Sequence, residues 1–251
     1  MLSARGLTKH FGGVVVADSL DIDLNPGEIV ALIGPNGAGK TTLFNMLTGF
    51  VRPDAGSIVF DGQRVEKLPS HQRARLGLAR TWQRPRLFES LSLVDNLMIA
   101  DRDYPGERLI EMVFRPQHVL DCEEKGRERA ERLLDRIGLG ARAEGRSTRL
   151  SYGQQKLVGL ARALMNDGRC ILLDEPMAGV EGRTVETMKT VVRDEAAAGK
   201  AVCIVEHNIG FIRDICDRAI FMFNGRIVAE GSVHDLLADK RLTALYFGSH
   251  S

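Results

Sequence analysis

The sequence predicts an α/β fold built on a doubly wound parallel sheet. Two continuous apolar runs, Cys170 to Leu173 and Ala201 to Val205, have the composition of strands buried on both faces. Between them, Arg183 to Ala198 places apolar residues at helical spacing. A third apolar strand, Ile29 to Ile33, leads through a glycine-rich turn into the helix-compatible run Thr42 to Leu47. This alternation of strands and helices is typical of a parallel sheet with helices on its faces.

The first third of the chain is rich in short strands. β-rich runs occur at Val14 to Val16, Glu28 to Ile33 and Ser57 to Phe60. Turn signals such as Asn25-Pro26-Gly27 and Asp61-Gly62 separate these runs. We therefore expect this region to contribute mainly strands.

The pattern changes between Leu91 and Asn166, where charged residues dominate. Apolar residues recur there at helical spacing, at Ala130, Leu133, Leu134 and Ile137. We interpret this stretch as a helical insertion that splits the α/β core. After the core, Asn224-Gly225 predicts a turn between two strands, and Ser232 to Asp239 predicts a short tail helix.

Composition and length exclude several classes of protein. The chain has 251 residues, of which 44% are hydrophobic, and a formal net charge of +1. These values are typical of a globular protein with one large domain or a domain carrying an inserted subdomain. The small net charge gives no overall attraction to nucleic acid or to an anionic membrane. No apolar run approaches the ~20 residues of a membrane-spanning helix, and Met1 to Phe11 lacks the apolar block of a signal peptide.

The four cysteines indicate the cellular compartment in which the protein is expected to work. None of Cys122, Cys170, Cys203 and Cys216 has metal-binding spacing, so we expect no zinc site. Three of them lie among apolar residues, which predicts buried free thiols in a reducing compartment. A cytoplasmic protein is expected, and peripheral attachment to a membrane protein stays open.

The strongest chemical signal is a glycine-rich segment that matches GxxxxGK[ST] between a strand and a helix. The residues predicted to bind the phosphates of a ligand here are Gly34, Pro35, Asn36, Gly37, Ala38, Gly39, Lys40, Thr41 and Thr42. The glycines let backbone N–H groups converge on phosphate oxygens, and the helix N-terminus adds its positive dipole end. Lys40 is predicted to reach the terminal phosphates, and the Thr41 hydroxyl to bind Mg²⁺.

Two adjacent carboxylates follow the apolar run Cys170 to Leu173. An α/β sheet presents its ligand site at the carboxyl ends of the strands, so both are expected near the phosphate loop. We predict that Asp174 holds Mg²⁺ through its water shell and that Glu175 polarises the attacking water as general base. Taken alone, two acids at a strand end more often form a helix cap or a solvated turn, and it is the pairing with the phosphate loop that favours a catalytic role.

A third segment, Leu150 to Gln155, has the sequence Leu-Ser-Tyr-Gly-Gln-Gln and precedes the helical run Lys156 to Leu164. Together with the two motifs above, it resembles the signature of ABC-transporter ATPases. In that family two ATP molecules are sandwiched in a head-to-tail dimer, where the phosphate loop of one subunit faces the signature of the other. The resemblance implies contacts to the partner's ATP from Ser151, Tyr152, Gly153 and Gln154.

The resemblance covers almost the whole chain and implies further site residues. Gln83 stands where the family contacts Mg²⁺, the attacking water and the transmembrane partner. His207 stands where it contacts the γ-phosphate, and Phe11 where a ring stacks on adenine. The implied catalytic residues are Glu175, His207, Gln83 and Lys40. The implied metal ligands are Thr41, Gln83 and Asp174.

The family's fold combines a P-loop (RecA-like) core with an antiparallel β subdomain and an inserted helical subdomain. We therefore expect one ABC ATPase domain over 1–251. Its nucleotide-binding core is expected at 1–90 and 168–231, its helical signature subdomain at 91–167 and its helical tail at 232–251. The implied cofactors are ATP and Mg²⁺. The implied partners are a second copy or a paralogous ATPase, integral-membrane permease subunits at the cytoplasmic face of the membrane and, indirectly, a solute-binding protein, with no nucleic acid.

Details of the motifs indicate a branch of the family. Leu150 to Gln155, Ala178-Gly179 and Glu206 to Asn208 resemble ATPases of branched-chain amino acid and urea importers. The charged insert from Asp101 to Gly126 resembles the larger ATPase subunit of that system. An ATPase of lipopolysaccharide export is the close alternative, with a similar Glu-His step and a generally shorter insert. A soluble non-transport ABC ATPase is a more distant alternative, and a non-hydrolytic switch would lack the Glu or His that this chain has.

Two positions depart from the family pattern. Tyr152 replaces the commonest signature glycine, and Glu181 stands where the family usually has Asp or Asn. Five arginines surround Gln83, and most are expected to be solvated: Arg73, Arg75, Arg80, Arg84 and Arg86. The resemblance implies that the groove beside Gln83, with Leu87 and Phe88, receives a short helix of the membrane subunit.

Overall fold

A computed structural model describes residues 1–102 and 116–247 of the chain. The strands of this part form two sheets. They are β1 (Leu2–Phe11), β2 (Val14–Leu24), β3 (Ile29–Ile33), β4 (Ala55–Phe60), β5 (Gln63–Arg64), β6 (Leu78–Arg80), β7 (Cys170–Asp174), β8 (Ala201–Val205), β9 (Arg218–Phe223) and β10 (Arg226–Ser232).

The larger sheet has six strands in the order β10-β9-β3-β8-β7-β6. Strands β6, β7, β8, β3 and β9 pair in parallel, and β10 pairs antiparallel with β9 across the predicted turn at Asn224-Gly225. Every residue of β3, β7 and β8 is buried, which explains their continuous apolar sequences. The predicted parallel α/β core is therefore confirmed.

The smaller sheet is antiparallel, with the order β2-β1-β4-β5. It is longer than the sequence indicates, because the predicted run Val14 to Val16 is only the start of β2 and all of β1 was missed. In β1 the side-chain alternation is broken near Gly6, which has a φ of +61° and lies where the register to both neighbouring strands shifts. A search for alternating apolar and polar residues does not detect a strand whose alternation is interrupted in this way.

The helices of the described residues lie between the strands and in the region 91–166. They are α1 (Lys40–Leu47), α2 (Ser70–Arg75), α3 (Leu93–Met98), α4 (Pro116–Arg136), α5 (Tyr152–Met165), α6 (Arg183–Ala197), α7 (Ile209–Ile215), α8 (Val233–Ala238) and α9 (Lys240–Phe247). Ala130, Leu133 and Leu134 are buried on α4, as their spacing predicts, and Ile137 is buried just past its end. In the described part of the chain, no helix is long and apolar enough to cross a membrane.

Of the charged insert from Asp101 to Gly126, residues 103–115 lie outside the described part of the chain. Up to residue 247 the tail contains two helices, because α8 ends at Ala238 and the backbone of Asp239 is extended at φ −74° and ψ 109°. The Asp239 carboxylate then accepts a bond of 2.8 Å from the Arg241 backbone N–H at the start of α9.

Two buried apolar clusters lie on opposite faces of the six-stranded sheet. Ile29, Ala31 and Ile33 point into a cluster with residues of α5 and α6, whereas Val30 and Leu32 point into one with α1 and the antiparallel sheet. Three cysteines are buried free thiols, as predicted: Cys170, Cys203 and Cys216. Cys122, on α4, is partly exposed. The sheet is thus covered on both faces. A ligand site is therefore expected at the carboxyl ends of its parallel strands.

Candidate active site

The phosphate loop connects β3 to α1, and its shape depends on glycine. Gly34 and Gly39 have φ values of +150° and +102°. A Cβ on Gly34 would lie 2.1 Å from the Met222 carbonyl oxygen, and one on Gly39 would lie 2.6 Å from the Val16 carbonyl oxygen. A Cβ on Gly37 would meet no atom within 4 Å, so this side of the loop is open to a ligand. The loop therefore packs tightly against the protein on one side and presents its backbone on the other.

Lys40 lies inside this loop. Its Nζ donates to the carbonyl oxygens of Gly34 at 2.6 Å and Pro35 at 2.9 Å. Burial lowers the pKa of the Lys40 ammonium, while the charges of Glu175 and Asp174 oppose that shift. Thr41 and Thr42 follow on the first turn of α1, so an ammonium, hydroxyl groups and a helix N-terminus converge at one place.

Asp174 is the last residue of β7 and is buried. An Arg80 guanidinium nitrogen lies 2.8 Å from Asp174 Oδ2, and both side chains are less than 10% exposed. Arg80 also donates to the Asn45 side-chain oxygen at 2.6 Å, which connects the ion pair to α1. Arg80 is a site residue that the sequence did not reveal, because it was grouped with the solvated arginines.

Arg73 is a second exception to the prediction of solvated arginines. It is buried, and its guanidinium donates to the carbonyl oxygens of Met46 at 2.6 Å and Leu47 at 2.8 Å. These carbonyls lie at the end of α1, where the helical hydrogen bonds stop, and that of Met46 also accepts from the Gly49 backbone N–H at 3.3 Å. Arg75, Arg84 and Arg86 are exposed, as expected for most of the five arginines, whereas Arg73 and Arg80 bind the phosphate-loop helix from the inside.

Three predicted side chains meet beside the phosphate loop. Gln83 Nε2 donates to Glu175 Oε2 at 2.6 Å, and His207 Nε2 lies 3.5 Å from Glu175 Oε1. Gln83 follows β6, Glu175 follows β7 and His207 follows β8, so the parallel strands deliver all three to one edge of the sheet. Glu175 has a φ of +46°, a left-handed conformation that is costly for a residue with a Cβ.

His207 is held by two neighbours. The hydroxyl of Tyr246, on α9, lies 2.9 Å from His207 Nδ1. The Glu206 carboxylate accepts bonds from the backbone N–H groups of His207 at 2.8 Å, Asn208 at 3.0 Å and Met177 at 2.6 Å. Tyr246 is a further contact that the sequence did not reveal, because nothing local in the tail links it to a histidine 39 residues earlier.

The signature segment starts α5. The Ser151 side chain accepts from the Gln154 backbone N–H, and the Gln154 side chain accepts from the Ser151 backbone N–H, which forms a capping box. Ser151 and Tyr152 are exposed, and Gly153 is buried. The Tyr152 hydroxyl donates to the Gln83 carbonyl oxygen at 3.3 Å. The tyrosine that departs from the family pattern therefore contacts the segment Thr81-Trp82-Gln83, called the Gln83 segment below, of its own chain.

The other predicted residues lie around this cluster. Phe11 ends β1 in the antiparallel sheet with an exposed ring, and β2 approaches the phosphate loop at Val16. Glu181 is exposed in the turn before α6. A cavity of about 310 Å³ lies beside the Gln83 segment, and its lining includes Arg80, Trp82, Phe88 and Arg162.

The arrangement of the phosphate loop and the carboxylates beside it is typical of one class of protein. A glycine loop with an internal lysine, next to a strand-end carboxylate pair, is the arrangement of a P-loop nucleotide hydrolase. The chain matches the family described as "ABC transporter" over residues 17–178, and it belongs to that family. It is therefore an ATP-binding subunit whose ATP hydrolysis is coupled to transport.

Relatives align along nearly the whole chain. The high-affinity branched-chain amino acid transport ATP-binding protein LivG of Escherichia coli (strain K12) is 32% identical over 99% of this chain and 98% of its own. The lipopolysaccharide export system ATP-binding protein LptB of Acidithiobacillus ferridurans is 36% identical over 99% and 97%. The crystal structure of the ADP conformation of MJ1267, an ATP-binding cassette of an ABC transporter, is 31% identical with a TM-score of 0.85, and the match covers 99% of both chains. The predicted ABC ATPase fold is confirmed.

Proposed function

We propose that Glu175 is the general base of ATP hydrolysis. The observation that carries this assignment is the position of its carboxylate, 2.6 Å from Gln83 Nε2 and 3.5 Å from His207 Nε2, at the strand ends beside Lys40. In the reaction, Glu175 takes a proton from water as the water oxygen bonds the γ-phosphorus. The bond from that phosphorus to the β-phosphate oxygen breaks, and ADP and phosphate are released.

The neighbouring residues have separate roles in this proposal. Gln83 orients the attacking water and Glu175, and His207 donates to the γ-phosphate. Lys40 leaves its two loop carbonyls to bind the terminal phosphates, and the backbone N–H groups of the phosphate loop bind the others. Phe11 offers its exposed ring to adenine.

The residues around the loop also fit a Mg²⁺ ion. The Thr41 hydroxyl, the Gln83 amide and the Asp174 carboxylate offer the oxygen ligands that Mg²⁺ prefers. Arg80 engages Asp174 Oδ2, so Oδ1 is available to a second partner. When bound, Mg²⁺ neutralises the charge that develops on the phosphates.

We infer that the working unit is a head-to-tail dimer with a second copy or a paralogous ATPase. In it, Ser151 to Gln154 of one subunit bind the ATP held by the other, which suits an exposed and well-capped helix N-terminus. Closure on ATP and opening after hydrolysis supply the transport stroke, because ATP bridges the subunits and its products do not.

Permease subunits bind the cavity beside Gln83 at the cytoplasmic face of the membrane, and a solute-binding protein acts indirectly.

The favoured transport system is an importer of branched-chain amino acids or related small polar solutes. The motif details at Leu150 to Gln155, Ala178-Gly179 and Glu206 to Asn208 support it, as does the LivG relative. The lipopolysaccharide exporter is the second candidate, and the LptB relative supports it with a somewhat higher identity.

The test is affinity purification of the chain from mildly solubilised native membranes, with identification of the bound proteins by mass spectrometry. Two unlike permeases and a second ATPase are the expected result for the importer. A lipid-export permease would support the second candidate instead. Only soluble or nucleic-acid partners would contradict both.

A further inference from the structure

Lys156 is a buried lysine on α5 whose ammonium binds carbonyl groups. The residue is 5% exposed. Its Nζ donates to the main-chain oxygen of Glu175 at 2.8 Å and also to that of Gln83. Among the described residues, no carboxylate lies within 4.0 Å of this ammonium, and the charges of Glu206, Glu175 and Asp174 act on it from farther away. A charge buried in this way costs folding free energy, so packing alone gives no reason for a lysine here.

The two carbonyls belong to the residues whose side chains meet over the reaction centre. Gln83 and Glu175 are joined by their own bond of 2.6 Å, and Lys156 joins their main chains. Glu175 needs such support, because its left-handed backbone costs about 1–2 kcal/mol relative to the usual conformation. Its N–H donates to the Val205 carbonyl of β8 at 2.9 Å, and its C=O accepts from Lys156 at 2.8 Å and from the Ala178 N–H at 3.3 Å.

Lys156 also belongs to the start of the signature helix. It lies little more than one turn after the helix cap at Ser151. Tyr152, in the first turn, donates to the same Gln83 carbonyl at 3.3 Å, and its ring lies 5.6 Å from the Lys156 ammonium. Because a helix moves as a rigid element, a shift of its N-terminus carries Lys156 with it.

We propose that Lys156 is a positioning residue that couples the signature end of α5 to Gln83 and Glu175 of the same subunit. The proposal rests on the roles given above to those two residues. When the signature meets a nucleotide across the dimer, the ammonium draws the Gln83 and Glu175 main chains into line for attack by water. Turnover then depends on Lys156, whereas nucleotide affinity at the phosphate loop does not.

The experiment compares Lys156→Met, Lys156→Arg and wild type in the purified transporter. We expect Lys156→Met to lower kcat about 30-fold and to leave KM for ATP within about threefold, since misplacement by about 1 Å can cost about 10²-fold in rate. Lys156→Arg keeps donors at this position and should recover kcat to within about fivefold of wild type. A merely structural lysine would not produce this split between kcat and KM, nor rescue by arginine.

The chain supplies a second readout that does not depend on activity. Trp82 is its single tryptophan and directly precedes Gln83. In the purified chain, Lys156→Met should raise acrylamide quenching of Trp82 fluorescence at least twofold, because the Gln83 segment loses a tether. Lys189→Met is the matched control. Lys189 forms ion pairs with Glu186 at 3.0 Å and Asp214 at 2.7 Å, and it does not bind the main chain of Gln83 or Glu175. This control should change neither kcat nor quenching.

Two outcomes separate this proposal from the function it rests on. If Glu175→Gln abolishes turnover while Lys156→Met keeps wild-type kcat and quenching, the positioning role is wrong and the base assignment stands. If Glu175→Gln itself turns over normally, the roles of Gln83 and Glu175 are wrong, and the positioning role falls with them. Should Lys156→Met fail to fold, Lys156→Gln replaces it and is expected to lose about tenfold in kcat, with wild-type kcat overturning the proposal.

Discussion

The phosphate loop and the Glu175 cluster are neighbours built in opposite ways. The loop is one continuous segment, and its shape depends on glycines with positive φ, of which Gly34 and Gly39 leave no room for a Cβ. The cluster brings together Gln83, Glu175 and His207 from three separate segments. Side chains from still other segments hold it, namely Lys156 and Tyr246. With the roles proposed above, this difference leads us to expect that nucleotide binding and hydrolysis can be disrupted separately in this chain.

The sharpest test of that separation is Glu175→Gln. The amide keeps an oxygen for the bond from Gln83 but cannot take a proton from water at neutral pH. We expect kcat to fall about 10³-fold, within the range that general base catalysis contributes. ATP affinity, measured with a fluorescent analogue, should stay within about twofold, and an ATP-bound dimer should accumulate. Turnover near wild type would refute Glu175 as base.

Within the phosphate loop, Gly34→Ala and Gly37→Ala form a matched pair. Both glycines have positive φ, but only at Gly34 would the new Cβ strike a backbone oxygen, at 2.1 Å. We expect Gly34→Ala to cost about 3–4 kcal/mol of unfolding free energy and to abolish nucleotide binding, since overpacking adds to the backbone strain. Gly37→Ala should cost only about 1–2 kcal/mol. Urea unfolding and ADP titration measure both, and equal losses would show that the close packing at Gly34 is unimportant.

A variant of Arg80 tests whether the stability of the region around Glu175 depends on the buried ion pair between Arg80 and Asp174. Arg80→Met leaves the Asp174 carboxylate buried without its guanidinium partner, which is expected to cost about 3 kcal/mol of unfolding free energy. Arg5→Met removes an ion pair of the same 2.8 Å length to Asp23, but at the surface, where the expected loss is below about 1 kcal/mol. Chemical denaturation of both variants gives the comparison. A loss at Arg80 no greater than at Arg5 would contradict a structural role for the buried pair.

The smallest expected effect is at the tail. Tyr246→Phe removes the hydroxyl bonded to His207 Nδ1 and should lower kcat about three- to tenfold, the value of one hydrogen bond. Burial raises the pKa of Tyr246, so its hydroxyl stays protonated across neutral and mildly alkaline solution. The ratio of wild-type to variant kcat should therefore be the same at pH 7 and pH 9. A ratio of one at both values would show that α9 does not support His207.

The parts that could be predicted from sequence are those fixed by local pattern. The phosphate loop and strands β3, β7 and β8 are contiguous, so glycine spacing and apolar runs reveal them. Arg80 and Lys156 could not be recognised, because whether a charge is solvated or buried depends on segments far away in sequence. Tyr246 escaped for the same reason, and β1 escaped because a bulge interrupts its alternation.

The buried thiols make this chain unusually easy to probe without mutagenesis. Burial raises the pKa of Cys170 and Cys216 to about 12 and that of Cys203 well above its ordinary value, so these thiols offer little thiolate to a reagent. Cys122 on α4 is the accessible site for a maleimide dye. A dye there that accepts energy from Trp82 would form a native donor–acceptor pair between the helical insertion and the Gln83 segment. A change in the distance between the dye and Trp82 during a single catalytic cycle could then be followed in real time in the wild-type protein.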